Sequence, residues 1–406
     1  MAKVKGKNKV AAFAAIGIVS LAILAIAVMT LIRQFRTVPT GGTVDPGTSS
    51  SMQSSEPEEP KVPEPTTLKM VAVVDNLIHS SIYNQAKARA GGNGYDFDYA
   101  YENITSLING DLNYINQETI IAGDVLEPSD YPCFNSPVEL GEKVYSMGFN
   151  MVNHANNHIL DRGLKGFNAT IDFWKNKPDV CLTGAYKNQE DLDQVKIIEK
   201  KGIKFSFIGI TEHTNGIPMP KNSDIKLIYS SEEDLIKAQI EAAKAASDFV
   251  IVSIHWGTEN SHVVNNAQRA LAQKMVDWGA DLIIGTHPHV LQSIEYITRE
   301  SDGKKVLCAY SLGNFISAQS QSANLIGGIL TFDITKEYEN GTISVSNVLL
   351  TPTITHYTAG YKNIKLYTLD QYNETLAKSH GSKDGYMSMD FINKTVSNNI
   401  DASFLK

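Results

Sequence analysis

Cysteine is scarce in this 406-residue chain: Cys133, Cys181 and Cys308 stand far apart, with no CxxC pair. That spacing excludes a disulfide framework and a thiolate zinc knuckle. Positive charge is not in excess either. The formal net charge of −8 argues against nucleic acid as a partner. No phosphate-binding G-x-x-x-x-G-K-[ST] loop occurs, which excludes a P-loop nucleotide site. Internal repeats are absent. Proline is thin outside one stretch: six of the 14 prolines (Pro39, Pro46, Pro57, Pro60, Pro63, Pro65) lie between Thr37 and Thr67.

What the chain does have begins at its amino end. Lys3, Lys5, Lys7 and Lys9 precede an uncharged run from Val10 to Ile32. Such a run is long enough to cross a hydrocarbon core of about 30 Å at about 1.5 Å per residue. It exceeds a signal-peptide core of about 7–15 residues, so an uncleaved anchor over 10–32 is expected. The lysines of residues 1–9 should stay cytoplasmic, which puts everything beyond the anchor outside. The expected location is the cell membrane, single-pass, with an extracytoplasmic carboxyl-terminal body. Residues 33–67 are too polar and proline-rich to bury a core, and read as a solvated tether.

From Leu68 on, short apolar runs alternate with helical patterns. Strands are predicted at Leu68–Val74, Asp111–Ile115, Phe149–Val152, Phe249–Ile254, Asp281–Ile284 and Val306–Ser311. Helices are predicted near Tyr99–Ile108, over Pro137–Met147, Gly163–Trp174 and Asn266–Trp278, and after a capping-box start at Ser230–Asp234. Hairpins are predicted around Lys201-Gly202 and around Glu339-Asn340-Gly341. After Thr351 the signal fades into a polar tail with local helical patches. The fold class is therefore α/β with mixed sheets, a body over 68–351 and an extension over 352–406.

Successive strand ends carry side chains that hold metals: Asp75 with His79, Glu118, Asn157 beside His158, His255, then His287 and His289. One such residue is usually structural, but five consecutive strand ends are hard to assign to chance. In α/β sheets ligands are met past the carboxyl ends of strands. Pro288, between two of the histidines, should push His287 towards an extended conformation. Oxygen and imidazole donors without thiolate suit Mn²⁺, Fe or Zn²⁺, and a carboxylate central in the order could bridge two ions. An imidazole just outside the ligands, such as His158, could protonate a leaving oxygen. His213 reads as structural, and His262, His356 and His380 as surface residues.

Four motifs resemble those of the CapA family of bacterial poly-γ-glutamate capsule-synthesis proteins. They are His-Ala-Asn-Asn-His with Asp-Arg-Gly (154–163), His-Trp-Gly-Thr-Glu (255–259), Gly-Ala-Asp-Leu-Ile-Ile-Gly-Thr-His-Pro-His-Val-Leu-Gln (279–292) and Tyr-Ser-Leu-Gly-Asn-Phe (310–315). The resemblance covers roughly Leu68 to Thr351. It implies a four-layer α/β/β/α sandwich similar to calcineurin-like metallophosphatases. It implies two divalent transition metals, with Asp75 and His289 on the first, Glu118 bridging, and Asn157, His255 and His287 on the second. His158 would be the proton donor. The sequence departs from the family at Val74, where glycine is usual, at Gln117, where an apolar residue is usual, and at His79, four positions after Asp75 instead of two. The implied partners are an anionic capsule polymer or a phosphoester substrate, and membrane synthase or export subunits. The implied function is polymer synthesis or export with a hydrolase-like site. A non-catalytic polymer tether beside a synthase and a surface phosphoesterase unrelated to capsule are the alternatives.

Overall fold

The computed structural model describes residues 63–405. The expected anchor over 10–32, residues 1–9 and most of the tether lie outside them. Among the described residues no helix is long and apolar enough to cross a membrane.

The first strands are β1 (Thr66–Asn76), β2 (Leu112–Asn116), β3 (Met151–Asn153) and β4 (Cys181–Thr183). They run parallel to one another, separated by helices that include Ser80–Arg89, Val138–Ser146 and Gly163–Lys175. A second series follows: β5 (Ile197–Lys200), β6 (Ile203–Thr211), β7 (Phe249–His255), β8 (Leu282–Thr286), β9 (Ile294–Thr298) and β10 (Lys305–Ala309). The chain then returns through β11 (Asn314–Ile316), β12 (Ile326–Lys336), β13 (Ile343–Thr358) and β14 (Lys362–Thr368). One sheet has the order β14-β13-β12-β1-β2-β3-β4, with β11 beside β1; the other has β5-β6-β7-β8-β10-β9. The mixed-sheet α/β class is borne out.

Alternation along the second sheet shows how it packs. Phe205, Phe207, Ile251, Leu282, Ile284 and Leu307 enter the same core as Met70, Ile115 and Met151 of the first sheet. Their neighbours Ile208, Val252, Ile254, Ile283 and Cys308 point the other way, against helices Glu233–Ala246 and Asn266–Trp278. Strands buried on both faces read as unbroken apolar runs, which is why these were visible in the sequence. The Tyr114 hydroxyl and Ser253 Oγ, 2.6 Å apart, join the two sheets across the core.

Several expectations need correction. The segment Tyr99–Ile108 is a four-residue turn of helix, Asp98–Tyr101, and a 3-10 turn, Thr105–Leu107. Helix Glu233–Ala246 has no capping box: Glu232 is its cap residue, and the Glu232 carboxylate accepts instead from the Tyr229 N–H at 2.8 Å. The sheet does not stop at Thr351. β13 runs through it, and β14 pairs with β13 beyond it. Pro352 is tolerated inside β13 because the last β13–β14 pair is Thr353 with Thr368, so its missing N–H falls just past the end of β14. His356 is buried, not superficial; its Nδ1 meets the Tyr372 hydroxyl at 2.8 Å, and burial pushes it down to about 4.

Candidate metal centre

Parallel strands of both sheets end at one place. β1 delivers Asp75, the turn after β2 delivers Glu118, the loop after β3 delivers Asn157 and His158, β7 delivers His255, and β8 runs into His287 and His289. At Val74 the pairing with β2 slips, from Val73 opposite Ile115 to Asp75 opposite Asn116. This bulge re-aims Asp75 without the glycine usual there. Gly285 is needed where it stands: a Cβ would lie 2.0 Å from the Tyr310 carbonyl oxygen and 2.5 Å from the Trp256 indole nitrogen. Gln117 is fully buried and satisfied, accepting from Asn76 at 2.6 Å and donating to the Thr119 carbonyl at 2.8 Å.

The His-Pro-His turn is not extended. His287 has φ +98° and His289 φ +59°, a region that side chains other than glycine rarely occupy. Such backbone costs on the order of 1–3 kcal/mol per residue and persists only where surroundings hold it. Here the His287 N–H donates to Asp75 Oδ2 at 3.1 Å, and the Pro288 carbonyl accepts from the Asn260 N–H at 2.8 Å. Those bonds override the pre-proline preference.

Side chains then converge. His255 Nδ1 lies 2.7 Å from Thr286 Oγ1, and a proton held there would leave Nε2 as a bare lone pair for a cation. That Nε2 lies 3.0 Å from Asn157 Oδ1, 3.0 Å from His287 Nδ1 and 3.8 Å from Glu118 Oε1. His289 gives its Nδ1 proton to Asn314 Oδ1 at 3.0 Å, with Asp75 Oδ2 at 3.2 Å, and turns Nε2 to Glu118 Oε1 at 3.7 Å. Asp75, Glu118 and His289 each offer a ligand atom within 4.8 Å of the others, as do Glu259, His287 and His289. Glu118 is the decisive member: both carboxylate oxygens are fully buried and neither has a hydrogen-bond partner. An unpaired buried carboxylate is costly, and a cation held among these donors would remove the cost. The donor set therefore fits divalent metal.

Electrostatics agree with that reading. Burial, then the neighbouring imidazoles, hold His255 well below the usual histidine range, so it is neutral and able to ligate. Burial does the same for His287. Burial opposes charge on His289, but Glu118 and Asp75 overcome it and lift the group to about 10. Burial raises Glu118 well above the carboxylate range, with His289 opposing. Without a cation the Glu118–His289 pair therefore retains a proton.

His158 lies beside this cluster. Its Nδ1 faces Asp161 Oδ2 at 2.8 Å, and its ring packs edge-on against Phe134. His79 does not join. Its Nδ1 accepts from the Ala318 N–H at 3.2 Å, and burial lowers it to about 4. His154 is structural, accepting from the Trp174 indole at 2.8 Å. His213, read from sequence as structural, stacks edge-on against His287 with ring centres 5.2 Å apart, at the exposed mouth. Sequence reasoning gave no role to Glu259, Asn314 or Asp161. Each sits in a quoted motif, but Glu259 and Asn314 act on histidines of another motif, and Asp161 acts on His158 of its own.

A family model described as bacterial capsule synthesis protein PGA_cap matches residues 69–319. The chain belongs to that family. The PGA_cap match spans every residue of the cluster, from Asp75 to Asn314. A capsule biosynthesis protein CapA of Bacillus anthracis is 30% identical over 267 residues, covering 62% of this chain and 60% of that one. A PGA biosynthesis protein CapA of Bacillus subtilis (strain 168) is 32% identical over 198 residues, covering 48% and 49%. The chain thus spans about half to three-fifths of the length of these curated relatives. A phosphatase structure from Mycoplasma pneumoniae overlaps 70% of this chain and 94% of its own, at 13% identity and a TM-score of 0.41, too low to carry an argument.

Proposed function

We propose that this PGA_cap protein acts in synthesis or export of a poly-γ-glutamate-type capsule polymer, through a hydrolase-like centre that holds two divalent transition metals. One CapA relative is named for capsule biosynthesis and the other for PGA biosynthesis, and the polymer is carried to this chain as a proposal. One observation carries the metal reading: Glu118, buried with both oxygens unpartnered, lies between Asp75 with His289 on one side and Asn157, His255 and His287 on the other. In this reading the two sheets and their helices are the four-layer sandwich of metallophosphatases. Asp75 and His289 would serve the first ion, Asn157, His255 and His287 the second, and Glu118 would be shared between them. Bound metals would supply Lewis-acid stabilisation of charge at a scissile phosphorus or carbonyl group.

The chain's own groups do the rest. Thr286 and Asn314 hold the tautomers of His255 and His289 by taking their Nδ1 protons. Asp161 orients His158 through Nδ1, which leaves Nε2 to carry the proton given to the leaving group. The Asn215 amide nitrogen lies 3.4 Å from that same Nδ1. The uncharged run at 10–32 would anchor the protein in the membrane with its body outside, near synthase or export subunits.

Metal-reconstituted full-length protein offered a phosphodiester and a γ-glutamyl peptide tests the reading. Turnover of either, lost in His158→Ala with metal content intact, is expected. A protein that binds metal, turns over neither compound, and supports polymer output equally well as His289→Ala would instead be a non-catalytic polymer tether.

A further inference from the structure

The mouth of the centre carries charge of an unexpected sign. Glu259 is exposed, yet its carboxylate lies within 4.8 Å of ring nitrogens on both His287 and His289. Its charge reaches the buried pair behind them, since it acts to raise both Glu118 and His289. Neighbouring residues pin the loop that carries it. The Asn260 N–H donates to the Pro288 carbonyl at 2.8 Å, Asn260 Oδ1 accepts from Asn324 at 2.6 Å, and the Gly257 N–H donates to Glu212 at 2.8 Å. Asn260 itself sits at φ +62°, a left-handed conformation that asparagine tolerates. A carboxylate on a loop tied down on both sides is positioned over the cluster, not trailing in solvent.

Among the described residues, none of the hydrogen bonds or ion pairs made by the centre's side chains involves a lysine or arginine. A site for phosphate monoesters ordinarily meets the non-bridging oxygens with such groups. Here the approaching group meets Glu259 instead, with the Glu212 carboxylate close behind the same loop.

We propose that Glu259 sets the charge class of the substrate: its carboxylate disfavours dianionic phosphate monoesters and admits scissile groups with one negative charge or none, such as phosphodiesters and amides. This rests on the metal-centre reading above. One added negative charge about 5 Å from a carboxylate is disfavoured roughly fourfold even in water-like surroundings, and a dianion roughly the square of that. An anionic polymer can still enter, provided its own carboxylates lie away from Glu259 and only the scissile link approaches it.

The test uses full-length protein loaded with Mn²⁺ at pH 8, where inorganic phosphate is mostly dianionic. Calorimetry should show Glu259→Gln binding inorganic phosphate about tenfold more tightly than wild type, with metal content unchanged. Glu259→Asp, which keeps the charge, should stay within about twofold of wild type. In turnover, the preference for bis(p-nitrophenyl) phosphate over p-nitrophenyl phosphate should fall by a similar factor in Glu259→Gln. If neither ester is turned over, the phosphate affinities decide alone. Unchanged phosphate affinity in metal-replete Glu259→Gln overturns the proposal, and so does loss of metal from that variant, which would make Glu259 a ligand. A wild-type protein that takes up no metal overturns this proposal and the metal centre together.

Discussion

β8 has a buried carboxylate near each of its ends, and the two are treated in opposite ways. At its amino end Asp281 is fully answered: Oδ1 accepts from Arg299 at 3.0 Å and Lys304 at 2.8 Å, and Oδ2 from the Val250 N–H at 3.0 Å. Arg299 is itself fixed by the carbonyls of Val276 and Ala280 at 2.9 and 2.8 Å. At the carboxyl end Glu118 faces the His287 and His289 turn with no donor on either oxygen. The first arrangement closes a charge balance inside the protein and holds β7, β8 and the loop after β9 together. The second leaves the balance open. A buried ionic group that the chain satisfies is structure, whereas one that it leaves unsatisfied among lone pairs is a place for something else.

Breaking each carboxylate should therefore have opposite effects. Asp281→Asn removes the buried charge that answers Arg299 and Lys304 and is expected to lower unfolding stability by about 3 kcal/mol while leaving metal content of the folded fraction unchanged. Glu118→Gln replaces a buried carboxyl group that no donor satisfies, so metal-free protein should be as stable as wild type or more so. Urea unfolding of both variants in chelator, followed by tryptophan fluorescence, measures the two. A Glu118→Gln variant destabilised as much as Asp281→Asn would erase the distinction between the ends.

The next effect is smaller. Asn314 holds His289 through Nδ1, and its own amide nitrogen donates to Ser317 at 3.1 Å, Gln319 at 2.7 Å and the Asn324 carbonyl at 2.8 Å. Asn314→Ala should weaken metal affinity by about 10–100-fold. Competition with a chromogenic chelator would show it, and an affinity within twofold of wild type would remove Asn314 from the account.

A third contrast is in pH. Burial holds His154 at about 3 and His79 and His356 at about 4, below the ordinary value near 6.5. As pH falls below 6.5 the unfolded chain takes up protons that the folded chain refuses. Their contribution is thus complete above about 6.5 and is lost on the way down to about 4 for His79 and His356 and about 3 for His154, at about 1.4 kcal/mol per pH unit for each group. His154→Gln keeps an acceptor for the Trp174 indole but cannot titrate. Its stability should fall less steeply between pH 6.5 and 5, by about one proton, and an unaltered slope would count against the burial of neutral His154.

These contrasts also show what a sequence can reveal. Helix Asn266–Trp278 was legible to the residue from its apolar spacing, and the structure adds a capping box between Asn265 and Gln268 at its start. The two-faced strands of the second sheet were equally plain. β14 and the far half of β13 were not, because polar residues, Pro352 and partial exposure mask their alternation. The residues that converge on Glu118 could be listed from strand ends, since each loop carries its own donor. What the sequence could not give was the state of each donor. That Gln117 is satisfied, that Glu118 is not, and that Glu259 reaches over His287 depend on contacts between segments far apart in the chain.

The most direct test is elemental analysis of full-length wild type and Glu118→Gln after purification with Mn²⁺, each checked for a folded body by circular dichroism. The account predicts two divalent ions per wild-type chain and fewer than one in the folded variant. Two ions retained without the Glu118 carboxylate, or none in the wild type, would contradict it.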